Sequence, residues 1–352
     1  MKTKKRILVA PLDWGIGHAT RCIPVIENLI LHGFEVILAA DGRPLHLLNS
    51  EFPDLEMIRL GGYNIRYSNY LPMNINMMLK LPRIYWSIKK ENKIIEAIIK
   101  DYKIDGLISD NRYGLYSKNI PSVFITHQLQ IQSPFLKDTI QRLNYRYIHK
   151  FDNNWIIDDK NINLAGELSK PEMLPKNSIH IGIQSRFKEE SVEKKYDFLG
   201  IVSGPEPQRT VLEKGLVKAL KDRKEKSLIL LGKPELNSKK IIKNLTVKSH
   251  LKATELNNAI LESDLIICRP GYSTIMDIAK LRKKAFFIPT PGQTEQEYLA
   301  KKLKQDKISY YQQQGKFNFD KAIIESKNYS GFQSQDWQKT NWQELFSLFK
   351  NK

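Results

Sequence analysis

Residues 264–303, DLIICRPGYSTIMDIAKLRKKAFFIPTPGQTEQEYLAKKL, constrain the fold more than any other part of this chain. The run Leu265-Ile266-Ile267-Cys268 is apolar and short, a length that suits a buried strand. Arg269-Pro270-Gly271-Tyr272 turns at its Pro-Gly step, and Ser273 and Thr274 then cap a helix through Met276, Asp277, Ile278, Ala279 and Leu281. A second buried strand at 285–288 ends in a Pro-rich loop at 289–293, and another helix starts near Glu295. A strand, a glycine turn and a helix N-terminus gather free backbone N–H groups into an anion site. Ser273 and Asp277 stand one helical turn apart on one face. From there Asp277 either reaches the diol of a ribose whose diphosphate the N–H groups hold, or serves only as a favourable charge near the helix start.

The first half repeats the strand–loop–helix rhythm. Residues 7–10 form a buried strand, 11–18 a loop containing Gly15 and Gly17, and Ile23, Ile26, Leu29 and Ile30 one face of a helix that Gly33 ends. A second strand covers 34–40, so a parallel sheet covered by helices on both faces is expected. Gly15-Ile16-Gly17-His18-Ala19-Thr20, with Asp41 after the second strand, is also close to a dinucleotide fingerprint. Thr20 occupies the third glycine position, and Asp41-Gly42 reads equally well as a turn, which weighs against a nicotinamide or flavin site.

Further strands at 104–109 and 122–126 deliver Asp110-Asn111-Arg112 and His127-Gln128 to their C-terminal ends, where open α/β sheets place ligands. Residues 155–158 read as the last strand of the first domain, 159–176 as a linker, and 179–184 as the crossing into the second. Strands at 198–202, 227–231 and 246–249 and a helix at 256–261 then lead to the organising stretch. Residues 61–81 have no clean period and read as an irregular excursion. A basic helix at 81–103 and a basic, aromatic segment at 133–151 complete the first half. His18 is the strongest catalytic candidate, since a glycine-rich backbone admits a ligand closely and imidazole titrates near neutrality. Asp110 ends a neighbouring strand and is the candidate to orient it.

The signature around Gly271, with the Gly-x-Gly-His loop and the later Gln-rich loop, resembles the two-domain (GT-B) glycosyltransferases. It is most similar to the peptidoglycan N-acetylglucosaminyltransferase and diacylglycerol glycosyltransferase group. The resemblance implies two Rossmann-like domains facing across a cleft: an acceptor domain at 1–165, a nucleotide-sugar domain at 177–330, and a C-terminal helix within 331–352 returning to the first. It implies a UDP-sugar held by Ser203, Gly204, Arg209, Arg269, Gly271, Ser273, Thr274, Asp277, Gln293, Glu295, Gln296 and Glu297. Gly15, Gly17, Asn111, His127 and Gln128 would then serve the acceptor side, with His18 and Asp110 as base and orienter. The chain departs from the family pattern in carrying Asp277 and Gln128 where relatives usually carry Glu. Pro205 and Pro207 also remove N–H donors from the loop at 203–209.

At 352 residues the chain suits about two domains, and apolar and charged fractions of 41% and 27% are those of a folded protein. The net charge of +18 points to an anionic partner: a nucleotide, an anionic membrane surface or nucleic acid. No RNA-binding motif accompanies it, which disfavours nucleic acid. Cys22 and Cys268 lie far apart without metal spacing, as expected in a reducing cytoplasm. The run behind basic residues 1–6 is too short for a signal peptide, and no apolar stretch is long enough to span a bilayer. A cytoplasmic protein, touching the membrane from inside through its basic aromatic segments, is expected. No Asp-x-Asp ends a strand near the site, so neither a metal nor a further cofactor is expected, the sugar nucleotide being a substrate. Inverting, metal-independent transfer to a lipid-linked or cell-envelope acceptor is the leading reading. A UDP-sugar hydrolase on the same fold and a non-catalytic nucleotide-sugar binder are its competitors.

Overall fold

The structure is a computed structural model that describes residues 4–13, 15–62, 73–131, 137–333 and 336–350. The chain divides into two compact units, 1–186 with 337–352, and 187–336. In the first unit, β1 (Arg6–Pro11), α1 (Gly17–Leu31), β2 (Glu35–Ala40), α2 (Gly42–Glu51) and β3 (Glu56–Arg59) are followed by the long α3 (Met73–Asp101). Then come β4 (Gly106–Asp110), β5 (Ser122–Thr126), α4 (Lys137–Ile148), β6 (Asn153–Ile156) and β7 (Ser178–His180). Its seven strands lie in the order β3-β2-β1-β4-β5-β6-β7, and each pairing is parallel. Every residue of β4 and β5 is buried, as a parallel strand covered on both faces requires.

The second unit contains β8 (Tyr196–Ile201), α5 (Gln208–Leu220), β9 (Ser227–Leu230), the antiparallel pair β10 (Lys239–Ile242) and β11 (Leu245–Lys248), and α6 (Ala253–Leu261). β12 (Ser263–Cys268), α7 (Tyr272–Lys280), β13 (Lys284–Phe287), α8 (Thr294–Gln305), β14 (Tyr310–Tyr311) and α9 (Phe319–Ser326) complete it. Its strand order is β10-β11-β9-β8-β12-β13-β14. The last helix, α10 (Trp342–Lys350), belongs to the first unit. Phe346 and Phe349 pack edge-on to Phe34 and meet Trp155, and the Phe349 ring takes the space where a Cβ on Gly106 would stand, 2.4 Å away. The two-sheet α/β architecture with its returning helix is the one the resemblance implies.

Several local readings change. Residues 178–180 do not cross between domains; they form the edge strand β7, in register with β6 from Asn154↔Ser178 to Ile156↔His180. Three residues at a sheet edge carry too little apolar pattern to be seen in a sequence. The segment read as a linker folds back onto the same unit. The Asp158 carboxylate accepts the backbone N–H groups of Leu164 and Ala165 at 3.0 Å, and Leu164, Ala165 and Leu168 are fully buried. α3 begins at Met73, so residues 73–81 of the anticipated excursion are helical, whereas 63–72 and 132–136 lie outside the described residues. β10 and α9 had no counterpart in the sequence reading, β10 because three of its four residues are exposed.

Candidate active site and nucleotide site

Each sheet reverses its strand order at one place, and both candidate sites are built there. In the first unit the reversal falls between β1 and β4, with Pro11 opposite Asp110 and Leu12 N–H donating to Asp110 O at 3.0 Å. Gly15, at φ +84°, lets the chain turn from β1 into α1. α1 starts at Gly17 with Ile16 as N-cap, so His18 sits in the first helical turn rather than on a free loop. Helical spacing then aims His18 and Arg21, three residues apart, at the same carboxylate.

Asp110 is fully buried. His18 Nδ1 lies 3.0 Å from its Oδ1, Arg21 Nε donates to its Oδ2 at 2.6 Å and Arg21 Nη2 to its Oδ1, and Cys22 Sγ is 3.5 Å from Oδ2. Arg21 Nη1 lies 2.9 Å from Nδ1 of His127, the residue that follows β5. Burial works to raise the pKa of Asp110, but Arg21 and then His18 overcome it and hold the carboxyl well below the usual range. Burial, followed by the Arg21 charge, lowers the pKa of His18 although Asp110 opposes both, so the imidazole is neutral at neutral pH. Burial and then Asp110 push the Cys22 thiol up, which leaves it a poor nucleophile.

Asn111 sits at φ +57° with its N–H on Ile125 O at 3.1 Å, and Gln128 N–H donates to Thr126 Oγ1 at 3.0 Å. His18, Asp110 and His127 thus converge, while Asn111 and Gln128 border them on the chain. Arg21 was missed. Its signal was a cation one turn after His18, on a helix face otherwise occupied by Cys22, Val25, Ile26 and Leu29.

In the second unit the reversal falls between β8 and β12, with Ile201 opposite Cys268. Arg269 is 1% exposed, and its acceptors are all neutral: Ile288 O at 2.8 Å, Pro289 O at 2.9 Å, Gln208 O at 3.0 Å, and Gln314 Oε1. Among the described residues its Nε has no partner, nor does the buried Thr290 Oγ1. Both face Gly204, where an added Cβ would lie 3.4 Å from Thr290 Oγ1 and 3.9 Å from Arg269 Nε. Burial lowers the pKa of Arg269 to about 10, so it stays charged at neutral pH.

The N-cap of α7 is Gly271; Ser273 and Thr274 lie inside the first turn and do not cap it. Asp277 is half-buried one turn on. Gln293 is the N-cap of α8, and its Oε1 is buried without a partner among the described residues, whereas Gln296 Oε1 accepts Thr290 N–H at 2.8 Å and Glu297 Oε1 accepts Gly292 N–H at 3.0 Å. Those two side chains shape the loop, and Glu295 lies in the first turn of α8. Ser203 is exposed beside Gly204, and Arg209 is already engaged by Glu206, its Nε donating at 2.8 Å. Among the described residues, no group of three His, Cys, Asp or Glu side chains is placed to hold a metal ion.

Residues 208–340 match the Glycosyltransferase family 28 C-terminal domain. Over 328 residues, 83% of this chain and 81% of the relative, the sequence is 24% identical to an uncharacterized glycosyltransferase of Methanosarcina mazei. Among solved structures, MurG of Acinetobacter baumannii matches with a TM-score of 0.60 at 15% identity, covering 99% of this chain and 100% of that one. The glycosyltransferase SnogD of Streptomyces nogalater matches with 0.63 at 12% identity, covering 99% and 96%.

Proposed function

We propose that this chain, a family 28-like glycosyltransferase of GT-B fold, moves a hexose with inversion from a UDP-sugar, UDP-N-acetylglucosamine being one candidate, to a lipid-linked or cell-envelope hydroxyl. One observation carries the reading. His18 turns its Nδ1 to a buried, ionised Asp110 at 3.0 Å, which leaves the Nε2 lone pair as the basic edge of a neutral imidazole. In the transfer, the acceptor oxygen bonds to C1 of the sugar as the bond from C1 to the diphosphate oxygen breaks. The hydroxyl proton passes to His18 Nε2, and Asp110 steadies the imidazolium that results. The diphosphate falls to the second unit, where Arg269 keeps its charge among neutral partners beside the Gly204 turn and the N-terminus of α7. Asp277 is then the ribose ligand.

The acceptor's lipid character is supported by one face of the first unit. Trp86 is 67% exposed and Tyr85 41%, both on α3, and Leu143 on α4 is 40% exposed. Lys89 Nζ stands 4.6 Å over the Tyr85 ring, and Ile88 of α3 and Tyr147 of α4 share one apolar cluster. Exposed Lys90, Lys93, Arg142 and Arg146 complete a basic aromatic face of the kind that rests on anionic headgroups. No helix among the described residues is long and apolar enough to cross a membrane.

Release of UDP from a panel of UDP-sugars, with and without added membrane lipid, tests the reading. Release should be slow alone and rise with lipid, the sugar appearing in the lipid fraction. His18→Ala should lower turnover by about a hundredfold or more, as loss of a positioned base does. Fast release of free sugar without acceptor would make the protein a hydrolase, and an unimpaired His18→Ala enzyme would remove His18 as the base.

A further inference from the structure

Among the described residues, the acids at the C-terminal end of the first sheet are engaged by donors, with one exception. Asp110 is held by Arg21 and His18, Asp41 by Arg59 Nε at 2.8 Å, and Asp158 and Asp159 by backbone N–H groups of the segment that follows them. Asp13 stands in the turn from β1 to α1, where its own carbonyl accepts Gly15 N–H at 3.0 Å. Its Oδ1 is buried and, among the described residues, has no hydrogen-bond partner. A buried carboxylate oxygen without a donor costs free energy, and an open strand end is where a ligand can supply one.

Neighbours fix where this carboxylate stands. It packs on Gly62, where an added Cβ would lie 1.9 Å from Oδ1. The segment leading to Gly62 is itself held, since Arg112 donates to Leu60 O at 3.2 Å and to Gly61 O at 2.7 Å. Arg112 is fully buried, with its Nε on Glu91 Oε1 at 2.7 Å. Asp13 and His18 thus flank the Gly15 turn at one edge of one sheet. We propose that Asp13 determines acceptor specificity: its Oδ1 takes a hydrogen bond from an O–H or N–H of the acceptor molecule, beside the hydroxyl that His18 deprotonates. The class so selected carries at least two donors, as a sugar headgroup does. An alcohol with a single hydroxyl cannot satisfy Asp13 and react at the same time. The contact exists before and during transfer, so it acts on acceptor binding rather than on the chemical step.

The role of Asp13 rests on the transfer reaction proposed above; its unpaired oxygen does not. Octyl glucoside and octyl N-acetylglucosaminide present several donors on a lipid tail, whereas dioctanoylglycerol presents one hydroxyl. With a UDP-sugar, the wild type should release UDP on adding the glycosides and far less on adding dioctanoylglycerol; equal release would overturn the proposal. Asp13→Asn keeps the shape, removes the charge, and should raise KM for the glycoside about tenfold or more with kcat nearly held. Gly62→Ala, whose Cβ displaces the carboxylate, should move KM in the same direction. An unchanged glycoside KM in Asp13→Asn would overturn the assignment. Thermal melts without ligand separate recognition from support of the fold. Asp13→Asn should melt no lower than the wild type, and a lower melting temperature would make Asp13 a structural residue. A wild type that serves none of these acceptors would strike the transfer reading instead, and the melts would then decide for Asp13 alone.

Discussion

Arg21 and Arg269 are both buried beside the point where a parallel sheet reverses its strand order, but among the described residues only Arg21 of the two meets a carboxylate. Arg21 shares Asp110 with His18 and completes a closed circuit of charge, whereas Arg269 spends its N–H groups on three backbone carbonyls and one amide. Burying an unpaired ion is costly, and natural proteins keep one chiefly where a ligand supplies the missing charge. The first unit therefore holds a closed charge circuit around Asp110. The second holds half of an ion pair, and a diphosphate would be the other half.

Truncating the two arginines should break this comparison in opposite ways. Arg21→Met leaves Asp110 buried without a counter-charge and should cost the first unit about 3–5 kcal/mol. Adding Asp110→Asn should restore part of that loss, because the orphaned charge goes with it. Arg269→Met strands only neutral carbonyls and should cost the second unit about 1–3 kcal/mol. The order reverses for ligand. A UDP-sugar at ~100 times its dissociation constant should stabilise the wild type by about 2.7 kcal/mol, and Arg269→Met should lose most of that shift while Arg21→Lys keeps it. Calorimetric melts of each variant, with and without UDP-sugar, supply both comparisons. A shift that survives in Arg269→Met would remove the diphosphate from Arg269.

The closed circuit also sets a pH signature. The folded pKa of His18 lies below its ordinary value, so as pH falls under ~6.5 the unfolded chain takes up this proton before the folded one does. His18 thus contributes stability that is full above ~6.5 and declines as pH falls toward its folded value. Asp110 acts lower on the scale: its depressed pKa gives stability that is full above ~3.9 and lost as pH falls through the folded value. The first unit should therefore weaken in two stages on acidification, and His18→Gln should erase the upper one. Denaturant titrations from pH 8 to pH 4 read the effect, and an upper stage that persists in His18→Gln would assign it to another group.

Much of the fold was legible because the middles of parallel strands covered on both faces are apolar; 123–125 and 265–268 announce themselves in this way. The edge strands β7 and β10 were not, since edge strands need neither alternation nor an apolar run. Within the site, Asp110 and His127 were visible because strand ends are marked in sequence. Arg21 was hidden inside a helix whose period reads as ordinary core, and a buried cation looks like a surface one until its acid partner, eighty-nine residues away, is placed beside it. The same blindness applied to Arg209, whose pairing with Glu206 weakens its case as a phosphate ligand.

The smallest expected effect separates the two units by surface rather than interior. If the basic aromatic face of α3 and α4 rests on lipid, the wild type should co-sediment with vesicles rich in anionic lipid and release in high salt, because surface charges are screened over ~8 Å at physiological ionic strength. Replacing Lys89, Lys90 and Lys93 by Gln should weaken binding by about fivefold for each lysine near the headgroups, and Trp86→Ala should weaken it at every salt concentration. Neither change should alter the UDP-sugar shift, since these side chains lie on α3 in the first unit and Arg269 lies in the second. Equal binding to neutral and anionic vesicles would refute the electrostatic account. An unchanged Trp86→Ala variant would leave charge alone as the attraction, and the exposed rings of α3 would then have no part in holding the lipid.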